Sequence, residues 1–286
     1  MHSGGEVVVE LGVCTAATIE AELDTPNAGG SHRAITEHIL GLADGARDGA
    51  ALIDAADGTV TTWAQFASTV RAAAHGLTRR GLQDDDTVGV FVADAASHAL
   101  AVHAVRAAGA TAWPIRPATR SADIAAQLNA CRARLLITSA ALAELAIEAT
   151  ERSWARQIFA FGEAAATTPF SALLDGAEHA GARENGGADQ GPRTPSPGPA
   201  SDLAGLTLAG GPRLTRWDVV VAGPPCGEPG AYTLLLDLAL IAGATIVAAP
   251  AERLTAAIGA YHGTAAIAPH GTVVEGIPAE RVFSVG

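Results

Sequence analysis

The regular alternation of short apolar runs with longer amphipathic ones constrains this chain more than any other feature. Ala51 to Asp54 reads as a strand, Asp57-Gly58 as a hairpin turn and Val60 as the returning strand. Thr62 reads as the N-cap of a helix from Trp63 to Arg79, with Phe66, Val70, Ala74 and Leu77 on one face and Gly81 as its stop. Thr87 to Val92 is a buried strand. Ser97 is the expected cap of a helix to Ala108, ended by Gly109. Strands over Thr111 to Ile115, Leu135 to Thr138 and Gln157 to Phe161 follow, separated by helices over Ser121 to Ala130, with Ser121 as cap, and Ala140 to Thr150. The rhythm resumes late in the chain. Trp217 to Ala222, Ala244 to Ala248, Thr264 to Ala268 and Arg281 to Val285 read as strands, and Gly230 to Ala242 and Ala251 to Ala260 as helices. Strands alternating with helices of about 10–16 residues imply βαβ units, a mainly parallel sheet and helices on both faces.

The rhythm divides the chain. Residues 1–33 are expected to be a poorly ordered leader, because they mix a short apolar stretch with acidic and Gly-containing sequence. A first α/β subdomain spans 34–175 and opens with a short helix carrying Ile35, Ile39, Leu40 and Leu42. Residues 176–200 are rich in Gly, Pro and Ser without periodicity, which predicts a flexible linker. A second, incomplete α/β subdomain spans 201–286.

Composition narrows the function. Hydrophobic residues make up 49% and charged residues 17% of the 286 residues, a globular balance. The formal net charge of -12 argues against nucleic acid and against an anionic membrane surface as partners. No apolar run reaches the about 18–20 residues of a membrane span, and Tyr232 to Pro250 is broken by Asp237 and Gly243. Met1 to Glu10 has no basic region ahead of an apolar one, so no secretory signal is expected. Cys14, Cys131 and Cys226 are few and far apart, which suggests a reducing, cytoplasmic location. All 18 basic side chains are arginines, so this chain alone supplies no lysine chemistry.

Several segments in order resemble a known family. Ala51-Leu-Ile-Asp54, Asp57-Gly58 and Thr61-Thr-Trp-Ala-Gln-Phe66 look like the opening of adenylate-forming enzymes: acyl-CoA synthetases, 4-coumarate-CoA ligases, luciferases and peptide-synthetase adenylation domains. The likeness continues through Ala72 to Leu77, Arg80-Gly-Leu82 and Asp86 to Val90, and is strongest over Ala101 to Pro117, where Val105-Arg-Ala-Ala-Gly-Ala110 is followed by Pro114. Asp218 to Pro225, Leu240 to Val247 and Arg281 to Gly286 resemble the family's second subdomain. The resemblance covers 34–175 and 201–286. It implies two doubly wound, mainly parallel α/β subdomains like the N-terminal part of these enzymes.

The same resemblance exposes departures. The family carries a Ser/Thr/Gly-rich phosphate loop ending in lysine before the Asp218 strand, where backbone N–H groups would hold ATP phosphates. Here that place holds Leu206 to Arg213, with Gly210, Gly211 and Arg213 as weak candidates for a remnant. The aromatic and His residues that follow the next strand in active members are replaced by Gly223-Pro-Pro-Cys-Gly-Glu-Pro-Gly230. The adenine, magnesium and ribose motifs and the C-terminal lid, with its catalytic lysine, would lie beyond position 286.

His98 and His103 are five apart, and His32 and His38 six apart; neither spacing gives the i, i+4 face of a metal-binding helix, so no metal is expected. Cys226 lies in a loop after a strand and could act as a nucleophile beside a histidine, against the commoner reading of a small buried side chain. Ser284 lacks the first glycine of a nucleophile elbow, and Asp84 to Asp86 read as a solvated turn. The resulting expectation is a degenerate acyl-CoA synthetase-like protein without catalytic residues or a cofactor. It would bind a protein partner, a second copy of itself, or a small acyl or aromatic ligand in a crevice at Gly223, Pro224, Pro225, Cys226 and Gly227. The alternative is an acid–thiol ligase component that uses ATP, AMP or CoA only with a complementing partner.

Overall fold

A computed structural model describes residues 8–10, 28–44, 48–116, 120–175, 207–209 and 213–285. Thirteen strands and seven α-helices lie within them. The early elements are β1 (Val8–Glu10), α1 (Ala28–Asp44), β2 (Ala50–Asp54), β3 (Val60–Thr62), α2 (Trp63–Arg79), β4 (Thr87–Phe91), α3 (Ala95–Ala107) and β5 (Thr111–Pro114). Then come α4 (Ser121–Ala130), β6 (Leu135–Ser139), α5 (Ala143–Thr150), β7 (Gln157–Phe161) and β8 (Thr168–Pro169). The late elements are β9 (Thr207–Ala209), β10 (Val219–Ala222), α6 (Pro229–Ile241), β11 (Thr245–Ala248), α7 (Leu254–Tyr261), β12 (Ala265–Pro269) and β13 (Val282–Val285).

Two mainly parallel sheets organise these elements, as the alternation predicts. A five-stranded sheet runs β5-β4-β6-β7-β8, and a six-stranded sheet runs β13-β12-β10-β11-β2-β3. Only β3 in the larger sheet is antiparallel, joined to β2 through the turn at Gly58. A separate parallel pair joins β1 to β9.

Side-chain alternation turns the two sheets into five layers. On β10, Val220 and Ala222 face inward while Val221 faces out; on β6, Leu135 and Ile137 face inward while Leu136 faces out. Strands buried on both faces explain the near-continuous apolar runs in the sequence. Helices α1, α2, α3 and α6 fill the space between the sheets. Phe66 and Val70 of α2 pack toward the six-stranded sheet, and Ala73 and Leu77 of the same helix toward the five-stranded one. Helix α7 covers the outer face of the larger sheet, and α4 and α5 that of the smaller.

Local chemistry explains most boundaries. Thr62 caps α2 in a full capping box: its hydroxyl accepts from the Gln65 N–H at 3.2 Å, and the Gln65 side chain accepts from the Thr62 N–H at 2.9 Å. Gly109 ends α3 with φ 84°, a left-handed conformation suited to glycine.

Four expectations are corrected. Asp94, not Ser97, caps α3; its carboxylate accepts from the Ser97 N–H at 2.7 Å and the Ser97 hydroxyl at 2.8 Å. Ser121 is the first residue of α4 rather than its cap, and the N-cap Arg120 instead grips Asp123. Trp217 is in an exposed turn, because Asp218 folds back onto the Thr215 N–H at 2.7 Å and the strand starts at Val219. Helix α1 begins at Ala28, within the leader expected over 1–33; apart from residues 8–10 and 28–33 that leader lies outside the described residues, as does the linker expected over 176–200.

Sheet membership also cuts across the division into 34–175 and 201–286. The hairpin β2–β3 adds to the six-stranded sheet, with Ile246 beside Leu52 and Ala248 beside Asp54. Its apolar inward face meets the same core as β10 and β11.

Candidate functional site at the second sheet

Chain order and strand order part company at β10. The chain leaves β10 through α6 on the inner face and reaches β11 on one side. It then passes through α7 on the outer face to β12 on the other side. Loops that diverge in this way leave a crevice beyond the strand ends, where open α/β sheets take ligands. Gly223, Pro224, Pro225, Cys226 and Gly227 lie in the loop directly after β10.

The crevice is built from the strand end upward. The Gly223 N–H donates to the Ile267 carbonyl at 2.9 Å, tying the loop to β12. The Gly223 carbonyl accepts from the fully buried Tyr232 hydroxyl at 2.7 Å, tying it to α6. Residues 224–230 are half-buried. Gly227 turns the chain with φ 58°. Glu228 occupies the N-cap position of α6 but makes no side-chain cap, and Pro229 stands inside the first turn. The Glu228 carboxylate pairs instead with Arg116 at 2.6 Å. The Arg116 backbone is held by Gln127 of α4 at 2.7 Å, so this pair bridges the two sheets. The N-terminus of α6 carries no side-chain cap, and such a helix end suits a negatively charged group; the Arg116 charge is already matched by Glu228.

Cys226 packs on the inner core, and burial pushes its thiol up, away from the thiolate a nucleophile needs. Desolvation, reinforced by Cys226 and Asp94, drives the Tyr232 hydroxyl well above its ordinary value, so it stays a neutral donor.

Sequence reasoning missed the seam behind the crevice. Helices α3 and α6 lie side by side, and their buried faces carry polar groups. Arg106 donates to Asp237 at 2.8 Å, with both side chains buried. The His103 Nε2 lies 3.5 Å from the other Asp237 oxygen, and its Nδ1 lies 2.9 Å from the Thr36 hydroxyl of α1. The His98 Nε2 lies 2.8 Å from the Thr233 hydroxyl, and its ring meets Tyr232 edge-on at 5.2 Å. The signal was Asp237 itself, the one charged side chain between Pro229 and Ile241 in a largely apolar helix.

The remaining candidates fall elsewhere. Gly210 and Gly211 lie outside the described residues, and Arg213 is exposed before β10. Asp84 and Asp85 are exposed in a turn, and Ser284 is exposed on β13. Asp218 sits at the opposite end of β10. Burial raises its carboxyl, but hydrogen bonds from Thr264, Thr215 and Arg281 outweigh this and hold it low. Among the described residues no cluster of three His, Cys, Asp or Glu side chains could hold a metal. Among the same residues no helix is long and apolar enough to cross a membrane. An open groove of about 340 Å³ lies between α1, α2 and α3, beside Arg33 and Arg71. Both arginines are already paired, with Glu37 and Asp44, so its charge is spent.

A layered α/β pair of parallel sheets with an open switch point in the second defines the class, an adenylate-forming fold. Residues 42–211, more than half of the chain, match the AMP-binding enzyme family, and the chain belongs to that family. It is 28% identical over 118 residues to 4-coumarate–CoA ligase 4 of Arabidopsis thaliana, covering 40% of this chain and 21% of that protein. Its fold is similar to a long-chain-fatty-acid-CoA ligase from Archaeoglobus fulgidus, with TM-score 0.64, 19% identity and coverage of 82% of this chain and 51% of the other. It is also similar to a benzoate CoA ligase from Burkholderia xenovorans LB400, with TM-score 0.60, 19% identity and coverage of 82% and 49%. The chain thus spans about a fifth of the curated relative and about half of these two structures.

Proposed function

We propose that this chain is an acyl-CoA synthetase-like module that binds a small acyl or aromatic acid at the second-sheet crevice and does not by itself activate it. The observation that carries the reading is the N-terminus of α6, left without a side-chain cap over a half-buried loop of Gly, Pro and Cys. A carboxylate would sit toward the backbone N–H groups of the helix end, and an apolar body against Pro224, Pro225 and Cys226. The absence of lysine supports the non-catalytic half of the reading, because charge on an acyl-adenylate would find no lysine in this chain. Calorimetric titration with benzoate, 4-coumarate and octanoate, paired with ATP–pyrophosphate exchange on the same acids, tests both halves. Saturable binding without exchange is expected. Exchange by the pure chain removes the non-catalytic half, and no binding of any acid removes the ligand half.

The similarity to two CoA ligases favours a second reading, an acid–thiol ligase component active only with a complementing partner. ATP and CoA would then be its co-substrates. Activity that appears only on mixing with a candidate complementing protein would select this reading.

A further inference from the structure

The seam between α3 and α6 gathers three of the chain's nine histidines around one carboxylate. Proton accounting assigns their tautomers. The Thr233 hydroxyl donates to the Pro229 carbonyl at 2.8 Å, so its oxygen accepts from His98, and the His98 Nε2 carries hydrogen. The His103 Nε2 faces Asp237, so it carries hydrogen, and the His103 Nδ1 accepts from Thr36. A further proton on His103 would replace that acceptor with a donor and set a second cation beside Arg106. A further proton on His98 would put charge against the Tyr232 ring.

Every neighbouring element leaves such a charge poorly compensated. Helix α1 presents His32 and Thr36, and the Nδ1 of His32 is buried with no partner among the described residues. Helix α2 presents the Phe66 ring, 5.8 Å from His103. Helix α6 presents Thr233, Tyr232 and Asp237, and Asp237 is already engaged by Arg106. Asp94 and Cys226 lie toward Tyr232. The second sheet contributes apolar side chains such as Leu52 and Ile246.

We propose that this seam is an acid-operated latch: on acidification it parts α6, with the crevice loop it carries, from α3 while the five-stranded sheet stays folded. The latch stands whether or not the crevice takes a ligand. Desolvation by burial is the main reason His98 is lowered to about 3, and His103 and His32 each to about 4, from the ordinary 6.5. For a base whose value is depressed in the closed form, the open form binds more protons below the ordinary value. The closed seam is therefore at full strength above pH 6.5 and weakens as pH falls from there toward 4.

Native-state hydrogen exchange of the full chain, normalised to intrinsic rates and run from neutral to acidic pH, tests the latch. Amides of α6 should lose protection about tenfold per pH unit for each proton taken up, while those of β6 and β7 hold over the same interval. His98→Gln and His103→Gln should each make the loss shallower. Flat protection in α6, or joint loss in α6 and β6 at one pH, overturns the proposal. If either variant fails to fold, the wild-type profile alone decides.

Discussion

The two sheets share a geometry and treat their switch points differently. In the five-stranded sheet the loops after β4 and β6 diverge, to α3 inside and α5 outside. The gap between them is closed by the protein's own groups. The Ala93 N–H donates to the Ser139 hydroxyl at 2.9 Å, and both Asp94 oxygens are taken up by Ser97. In the six-stranded sheet the corresponding acid, Glu228, is turned away to Arg116, and the end of α6 is left uncapped. One switch point is closed by its own hydrogen bonds, and at the other the helix end has no side-chain cap. A topological rule identifies where a site could be, and local hydrogen-bond accounting decides which of two such places is free.

That contrast can be broken in order of size. Asp237→Ala should have the largest effect, because it strands the buried Arg106 guanidinium. A loss of about 3–5 kcal/mol in denaturant unfolding is expected, with loss of acid binding at the crevice that α6 carries. Tyr232→Phe removes the donor to the Gly223 carbonyl and should cost about 1–3 kcal/mol and weaken acid binding measured by calorimetry. Asp94→Ala acts on the closed switch point. It should cost about 1 kcal/mol of stability through the lost cap and leave acid binding unchanged. Ser139→Ala frees only the Ala93 N–H. It should cost about 0.5–1 kcal/mol, again with no change in binding. Weaker acid binding in either of the last two variants would erase the distinction.

Much of this was legible in the sequence, and for identifiable reasons. Apolar runs buried on both faces mark parallel strands, and Thr62 followed by Gln65 marks a helix start, so α2 runs over the residues expected. Asp94 and Ser97 are both good caps three residues apart, and local sequence does not rank them; the extended backbone at Asp94 does. That the loop from Gly223 to Gly230 follows a strand was legible, because Gly and Pro end an apolar run there. The seam was not, because His98, His103 and Arg106 look like an ordinary polar helix face until Asp237 and Thr233 are laid against them. The sheet that β2 joins was equally hidden, since no neighbouring residue reports a partner so far along the chain.

That last pairing has a consequence for how the molecule comes into being. The Thr245 hydroxyl donates to the Ala50 carbonyl across 195 residues. Until β11 has left the ribosome, β2 has only its two-stranded hairpin partner, a unit of marginal stability on its own. The five-stranded sheet draws on chain that ends at β8, so it can assemble first, while the inward faces of α1, α2 and the hairpin stay wet. Closing so long a loop makes the six-stranded sheet the slow step of folding. During that wait the most exposed sticky surface is the face that later becomes the core between the sheets.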